Sequence, residues 1–163
     1  MCGIIGGLIH SKENFACKKF TAALQKLEHR GPDSRSTIVE NAGACNIYLG
    51  HSRLKIIDVS EKANQPMVSA DQRFVIVFNG EVYNFIELRA YLISVGIKCR
   101  TNSDTEVLLE LWCLFGSRCL PMLEGMFSFC IFDRKREEIV LARDPFGIKP
   151  LYYSWDQGGF FFA

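Results

Sequence analysis

The run Phe74-Val75-Ile76-Val77-Phe78 limits most strongly what this chain can fold into. It is continuously apolar and rich in β-favouring residues, with no polar alternation, so its strand must be covered on both faces. Residues 3–10 read the same way. A further β-rich block covers 126–133, turns at Asp133-Arg134-Lys135-Arg136 and returns at 138–143. Shorter strands are expected at 36–40, 45–51 and 54–57, with a polar loop through 58–66. A last hairpin joins 151–155 to 159–163 around Asp156-Gln157-Gly158-Gly159.

Helical periodicity interrupts these strands. From Glu13 to about His29, Ala16, Phe20, Ala23, Leu24 and Leu27 recur on one face, and Gly31-Pro32 stops the helix. Leu88, Tyr91, Leu92 and Val95 mark a second helix closed by Gly96. Ser103-Asp104-Thr105-Glu106 is a capping-box sequence opening a third, which runs through Leu114 to Gly116. Doubly covered strands with amphipathic helices imply stacked sheets with helices outside. No repeat or interdomain linker breaks the chain.

Bulk properties exclude several functions. With 163 residues the chain suits one domain, and a net charge of +1 gives no electrostatic case for nucleic acid or membrane. No apolar run approaches the ~18 residues of a spanning helix. The seven cysteines (2, 17, 45, 99, 113, 119, 130) are scattered without CxxC spacing, which favours a reduced, cytoplasmic setting. Cys17 and Cys113 fall in helices as packing residues. His10, His29 and His51 lack metal-ligand spacing, so no metal is expected.

Chemistry concentrates at Met1-Cys2-Gly3. Once Met1 is removed, Cys2 carries both a thiol and an α-amine, whose ordinary pKa of about 7.7–8.0 lets it serve as base for its own thiol. Arg53, set among apolar neighbours, can grip a carboxylate or simply flank a strand. Asn79-Gly80 is either a hairpin turn or a pair of donors for an oxyanion, with the Glu81 carboxylate beside it. Asp104 either serves the helix dipole or holds an ammonium. Asp133 and Asp144 end strands and read as turn formers.

These blocks together resemble a known family. Cys2-Gly3-Ile4, His29-Arg30-Gly31-Pro32-Asp33, Gly50-His51-Ser52-Arg53-Leu54, Asn79-Gly80-Glu81-Val82-Tyr83-Asn84, Ser103-Asp104-Thr105-Glu106 and the stretch from Gly125-Met126-Phe127 through Arg143-Asp144-Pro145-Phe146-Gly147 to Tyr153 resemble the glutaminase domain of class II, N-terminal-nucleophile glutamine amidotransferases. Pro32-Asp33, Arg53-Leu54 and Gly80–Asn84 are most similar to the asparagine synthetase branch. The resemblance implies an α+β fold, a four-layer αββα sandwich of two antiparallel sheets. It implies Cys2 as nucleophile and Asn79 and Gly80 as the oxyanion hole. Arg53 and backbone groups of Leu54, Lys55, Ile56 and Ile57 would take the substrate α-carboxylate, and Asp104 with Glu81 the α-ammonium of L-glutamine.

The same resemblance implies no cofactor in this domain; ATP and magnesium would belong to a synthetase domain that this chain does not contain. Residues 1–163 are expected to be one glutaminase domain, truncated inside the apolar run Phe160-Phe161-Phe162-Ala163. A homodimer is a further expectation. Two alternatives stand beside this reading. One is the same front end on another ATP-dependent amidotransferase, acting on a sugar acid or modified amino acid. The other is a truncated interaction module whose last strand lacks a neighbour and exposes its edge.

Overall fold

A computed structural model describes residues 1–10, 16–156 and 158–163, with Ala16 and Cys17 as backbone only. Nine strands and three α-helices are described: β1 (Gly3–His10), α1 (Ala16–Gln25), β2 (Ser34–Ala42), β3 (Cys45–Arg53), β4 (Met67–Val68), β5 (Phe74–Val82), α2 (Phe85–Ser94), α3 (Asp104–Phe115), β6 (Gly125–Asp133), β7 (Glu138–Arg143), β8 (Tyr153–Asp156) and β9 (Gly159–Phe162). One sheet has the order β2-β3-β1-β9-β8 and the other β4-β5-β6-β7. Every pairing is antiparallel.

The apolar run at 74–78 behaves as its composition requires. Val75 and Val77 point between the sheets, where Ile4, Ile47, Leu49, Cys130, Phe132 and Phe162 meet them. Phe74, Ile76 and Phe78 point outward into the layer of α2 and α3, against Leu88, Leu92, Leu108, Leu111 and Trp112. The distal face of the first sheet carries α1, with Phe20 packed on Ile9 and Tyr48. The layers are therefore helix, sheet, sheet, helix, as the resemblance implies.

Several boundaries differ from the sequence reading. The start of the first helix at 13–15, the Cys17 side chain and Gln157 of the last turn lie outside the described residues. Leu54–Ile57 do not form a strand: the Leu54 N–H points to the Cys2 Sγ at 3.4 Å and the Lys55 N–H donates to Asp33 Oδ2 at 2.8 Å, so side chains take the groups a ladder would use. Asn79-Gly80 is not a turn. β5 continues through Val82, with Asn79 opposite Ser128 and Gly80 opposite Phe127. The final strand β9 is not an edge either, because it pairs with β1 on one side and β8 on the other. Gly96 takes φ +87° after α2, the left-handed position its sequence place suggests.

Candidate active site

The site forms where β1, β3 and β5 end together, closed by the loop after β3 and the start of α3. Met1, Cys2, Arg53, Leu54, Ile56, Ile57, Asn79, Gly80, Glu81 and Asp104 line one cavity of about 100 Å³. Lys55 is the one sequence-predicted residue that turns away, its ammonium paired with Glu61. Cys2 and Asn79 also border a second cavity of about 170 Å³, shared with His29, Arg30, Pro150 and Tyr152.

Strand parity explains the convergence. Residues 4, 49, 77 and 130 face the space between the sheets, and Cys2, Arg53, Asn79 and Ser128 continue those same faces beyond the apolar core. Gly80 lies where two strands close on each other. A Cβ there would meet the Met126 carbonyl oxygen at 2.3 Å, so only glycine keeps its backbone in this register. Gly31 is similarly tight against Ser52 and Arg53, at 2.3 Å from the Ser52 oxygen. Asp33, two residues later, donates its N–H to the Arg53 carbonyl and accepts from the Lys55 N–H. The Gly31-Pro32-Asp33 block thus braces the end of β3.

Arg53 is buried, which sets aside its reading as a surface residue. Its Nη1 donates to the Ser60 carbonyl at 2.8 Å and Asn64 Oδ1 at 2.7 Å, and its Nη2 to the Asp58 carbonyl. A guanidinium has five N–H donors, so this loop fixes the group and leaves part of its fork for a ligand. Asp58 is fixed in turn, accepting from the Ser60 N–H at 2.8 Å and the Asn102 N–H at 2.7 Å. The polar composition of 58–66 signalled a loop, but not that the loop closes on Arg53. Gln65, Thr105, Met126 and Lys149 also line the cavity, though the sequence reading gave them no role there.

Asp104 serves the start of α3 and also lines the cavity. At the first turn of α3 its Oδ1 accepts from the Thr105 N–H at 2.9 Å and its Oδ2 from the Val82 N–H at 3.0 Å. Burial nevertheless pushes its pKa up, and the nearby Glu81 charge adds to this. A ligand cation is the natural relief for such a carboxylate. Burial likewise raises the Cys2 thiol, opposed by its Leu54 contact, the terminal ammonium and Arg53. The thiol is thus protonated at neutral pH and needs a base before it can attack.

α3 is held in place by half of the expected capping box. Ser103 Oγ accepts from the Glu106 N–H at 3.2 Å, but the Glu106 carboxylate serves the preceding loop instead. It accepts from the Arg100 N–H and Nε, both at 2.9 Å, and from the Thr101 N–H and hydroxyl, both at 2.6 Å. Burial alone would raise this carboxylate, but these donors outweigh it and hold its pKa below the ordinary value. A depressed pKa stabilises the fold above the unfolded value of about 4.3, and the benefit fades as pH falls through the folded value. Glu106→Gln is therefore expected to cost about 1–3 kcal/mol at neutral pH in urea denaturation, and less at a pH below the ordinary carboxylate value. An equal deficit at both pH values would contradict this.

Asp133 and Asp144 remain local organisers. Asp133 grips Arg73 through both oxygens, and Asp144 accepts from the N–H groups of Phe127, Ile148 and Lys149. Cys113 packs against the helix layer as expected.

Comparison with known proteins agrees with this fold. The fold is shared with glutamine phosphoribosylpyrophosphate amidotransferase from B. subtilis: TM-score 0.78 at 22% identity, covering 98% of this chain and 41% of that one. The glutamine amidotransferase domain family matches residues 1–163, and the chain belongs to that family. Among its relatives, asparagine synthetase [glutamine-hydrolyzing] 1 of Bacillus subtilis is 39% identical over 168 residues, covering all of this chain and 26% of the relative. The asparagine synthetase [glutamine-hydrolyzing] of Triphysaria versicolor is 39% identical over 160 residues, covering 98% of this chain and 26% of the relative. The chain thus spans about a quarter of the length of these two relatives. No described helix is long and apolar enough to cross a membrane.

Proposed function

We propose that this chain is the glutaminase domain of a glutamine-hydrolysing asparagine synthetase. Convergence of Cys2, Asn79, Gly80, Arg53 and Asp104 on one cavity carries this reading. After loss of Met1, the Cys2 α-amine takes the thiol proton, directly or through water, and the thiolate attacks the glutamine side-chain carbonyl. The oxyanion is met by the Asn79 amide and the Gly80 N–H. The adduct collapses as the C–N bond breaks and ammonia leaves with a proton. Water then cleaves the γ-glutamyl thioester, releasing glutamate and restoring the thiol.

Arg53 and the backbone N–H groups of Ile56 and Ile57 hold the α-carboxylate, while Asp104 and Glu81 hold the α-ammonium. The ammonia then serves a synthetase domain like that implied by the length of the relatives. There ATP and magnesium would activate aspartate as its adenylate. No cofactor is assigned to the glutaminase residues. Cytoplasmic location and a homodimer belong to the same proposal.

Recognition of both charged ends is tested with blocked substrates. Nα-acetyl-glutamine lacks the ammonium and glutamine α-amide the carboxylate. Each is expected to lose at least about a hundredfold in kcat/KM, the size of a charged hydrogen bond worth about 3 kcal/mol. Turnover of either within a few-fold of glutamine would refute the assigned contacts. Conversion of a sugar acid to its amide, with no asparagine formed by the full-length protein, would favour the other amidotransferase reading.

A further inference from the structure

Behind the oxyanion pair, Asn79 belongs to a polar cluster whose other members, His51 and Ser128, the mechanism above does not use. His51 and Ser128 are 0% exposed and Asn79 is 4% exposed. All three face the space between the sheets, because they continue the strand faces of Leu49, Cys130 and Val77. Asn79 and Ser128 are directly opposed across β5 and β6. Side chains so placed have Cβ atoms about 4.5–5.5 Å apart. His51 reaches across from the other sheet, its Nε2 donating to the Phe78 carbonyl at 3.0 Å.

Each residue of the cluster keeps one buried polar atom without a partner: His51 Nδ1, Asn79 Oδ1 and Ser128 Oγ. Their chemistry is complementary. Burial holds the imidazole neutral, with its pKa lowered to about 4. Its single N–H is committed to Phe78, so Nδ1 can only accept. Asn79 Oδ1 also only accepts. Ser128 alone has a free hydrogen to give. One water receiving the Ser128 O–H can donate to both acceptors, and a buried water commonly makes about three such bonds.

We propose that Ser128, through one water shared with His51, is a positioning residue that fixes the Asn79 amide with Nδ2 toward the cavity. This role rests on the glutaminase reading. An amide turned the other way would present its carbonyl oxygen to the developing oxyanion and repel it. Anchoring Oδ1 on its buried side removes that orientation before substrate arrives. Ser128 therefore acts on the reaction without touching the substrate.

Two measurements decide the proposal. In steady-state glutamine hydrolysis, Ser128→Ala is expected to lower kcat about tenfold with KM changed less than twofold, and the isosteric Ser128→Cys, a weak donor, to do nearly the same. In an Asn79→Ala background the Ser128→Ala effect is expected to disappear, since Ser128 acts only through Asn79. A penalty of the same size in both backgrounds, or no loss of kcat in a folded variant, overturns it. A crystal structure of the unmutated chain gives a readout independent of turnover. It is expected to show a water within about 3.2 Å of Ser128 Oγ, Asn79 Oδ1 and His51 Nδ1. An Asn79 with Oδ1 on the cavity side, or with no water or hydroxyl beside it, overturns the proposal. A wild-type chain that hydrolyses no glutamine would refute the glutaminase reading, while the crystal structure still decides the geometry.

Discussion

Glutamine hydrolysis is expected to fall by at least about 10⁴ in the Cys2→Ala chain, the scale on which loss of a covalent nucleophile acts. The fold should survive, because Cys2 is only partly buried and its Sγ makes just two long contacts, both with the Leu54 backbone. Glutamate release and the thermal midpoint, measured together, separate the two effects. The same logic extends to Met1. A chain in which Met1 is retained keeps the thiol but lacks a free α-amine on the same carbon, and the thiol, its pKa raised by partial burial, stays protonated. It is expected to be as inactive as the alanine variant. Residual hydrolysis within tenfold of wild type would place the nucleophile elsewhere in the alanine variant, and would rule out the α-amine as the base in the chain that keeps Met1.

Asn79→Ala is expected to lower kcat by about 10²–10³ while leaving KM for glutamine within a few-fold, the pattern of a donor that meets charge only in the transition state. The position supports this split. Asn79 lies mid-strand, opposite Ser128, and not in a mobile turn, so its amide is held on a rigid element at the cavity wall. Gly80 follows it on the same strand, packed against Met126 and Phe127 with no room for a Cβ. A rise in KM equal to the fall in kcat/KM would instead assign Asn79 to ground-state binding.

Much of this architecture was legible in the residues themselves. The doubly apolar run at 74–78 required a covered sheet, and the capping sequence at 103–106 marked the start of α3 within one residue. Asn79-Gly80 illustrates the limit of local signals. The pair favours a turn in isolation, but here the ladder with β6 overrides that preference and keeps it extended. Leu54–Ile57 show the opposite case, where extended-favouring residues leave the sheet because Cys2 and Asp33 take up their backbone groups. Long-range closure was invisible for the same reason: nothing within 58–66 reveals that Ser60, Asn64 and Asp58 converge on Arg53. Nor could β9 be placed between β1 and β8 from its own sequence, since Phe160-Phe161-Phe162 fits an interior or an edge strand equally well.

The central claim is that Cys2, freed of Met1, is a nucleophile inside a glutamine-shaped cavity. Intact mass before and after treatment with a diazo-ketone analogue of glutamine tests it most directly. The expected result is a chain without Met1 that gains one adduct, protected by glutamine and lost in Cys2→Ala. A chain without Met1 that gains no adduct, or one that labels equally in Cys2→Ala, would contradict it.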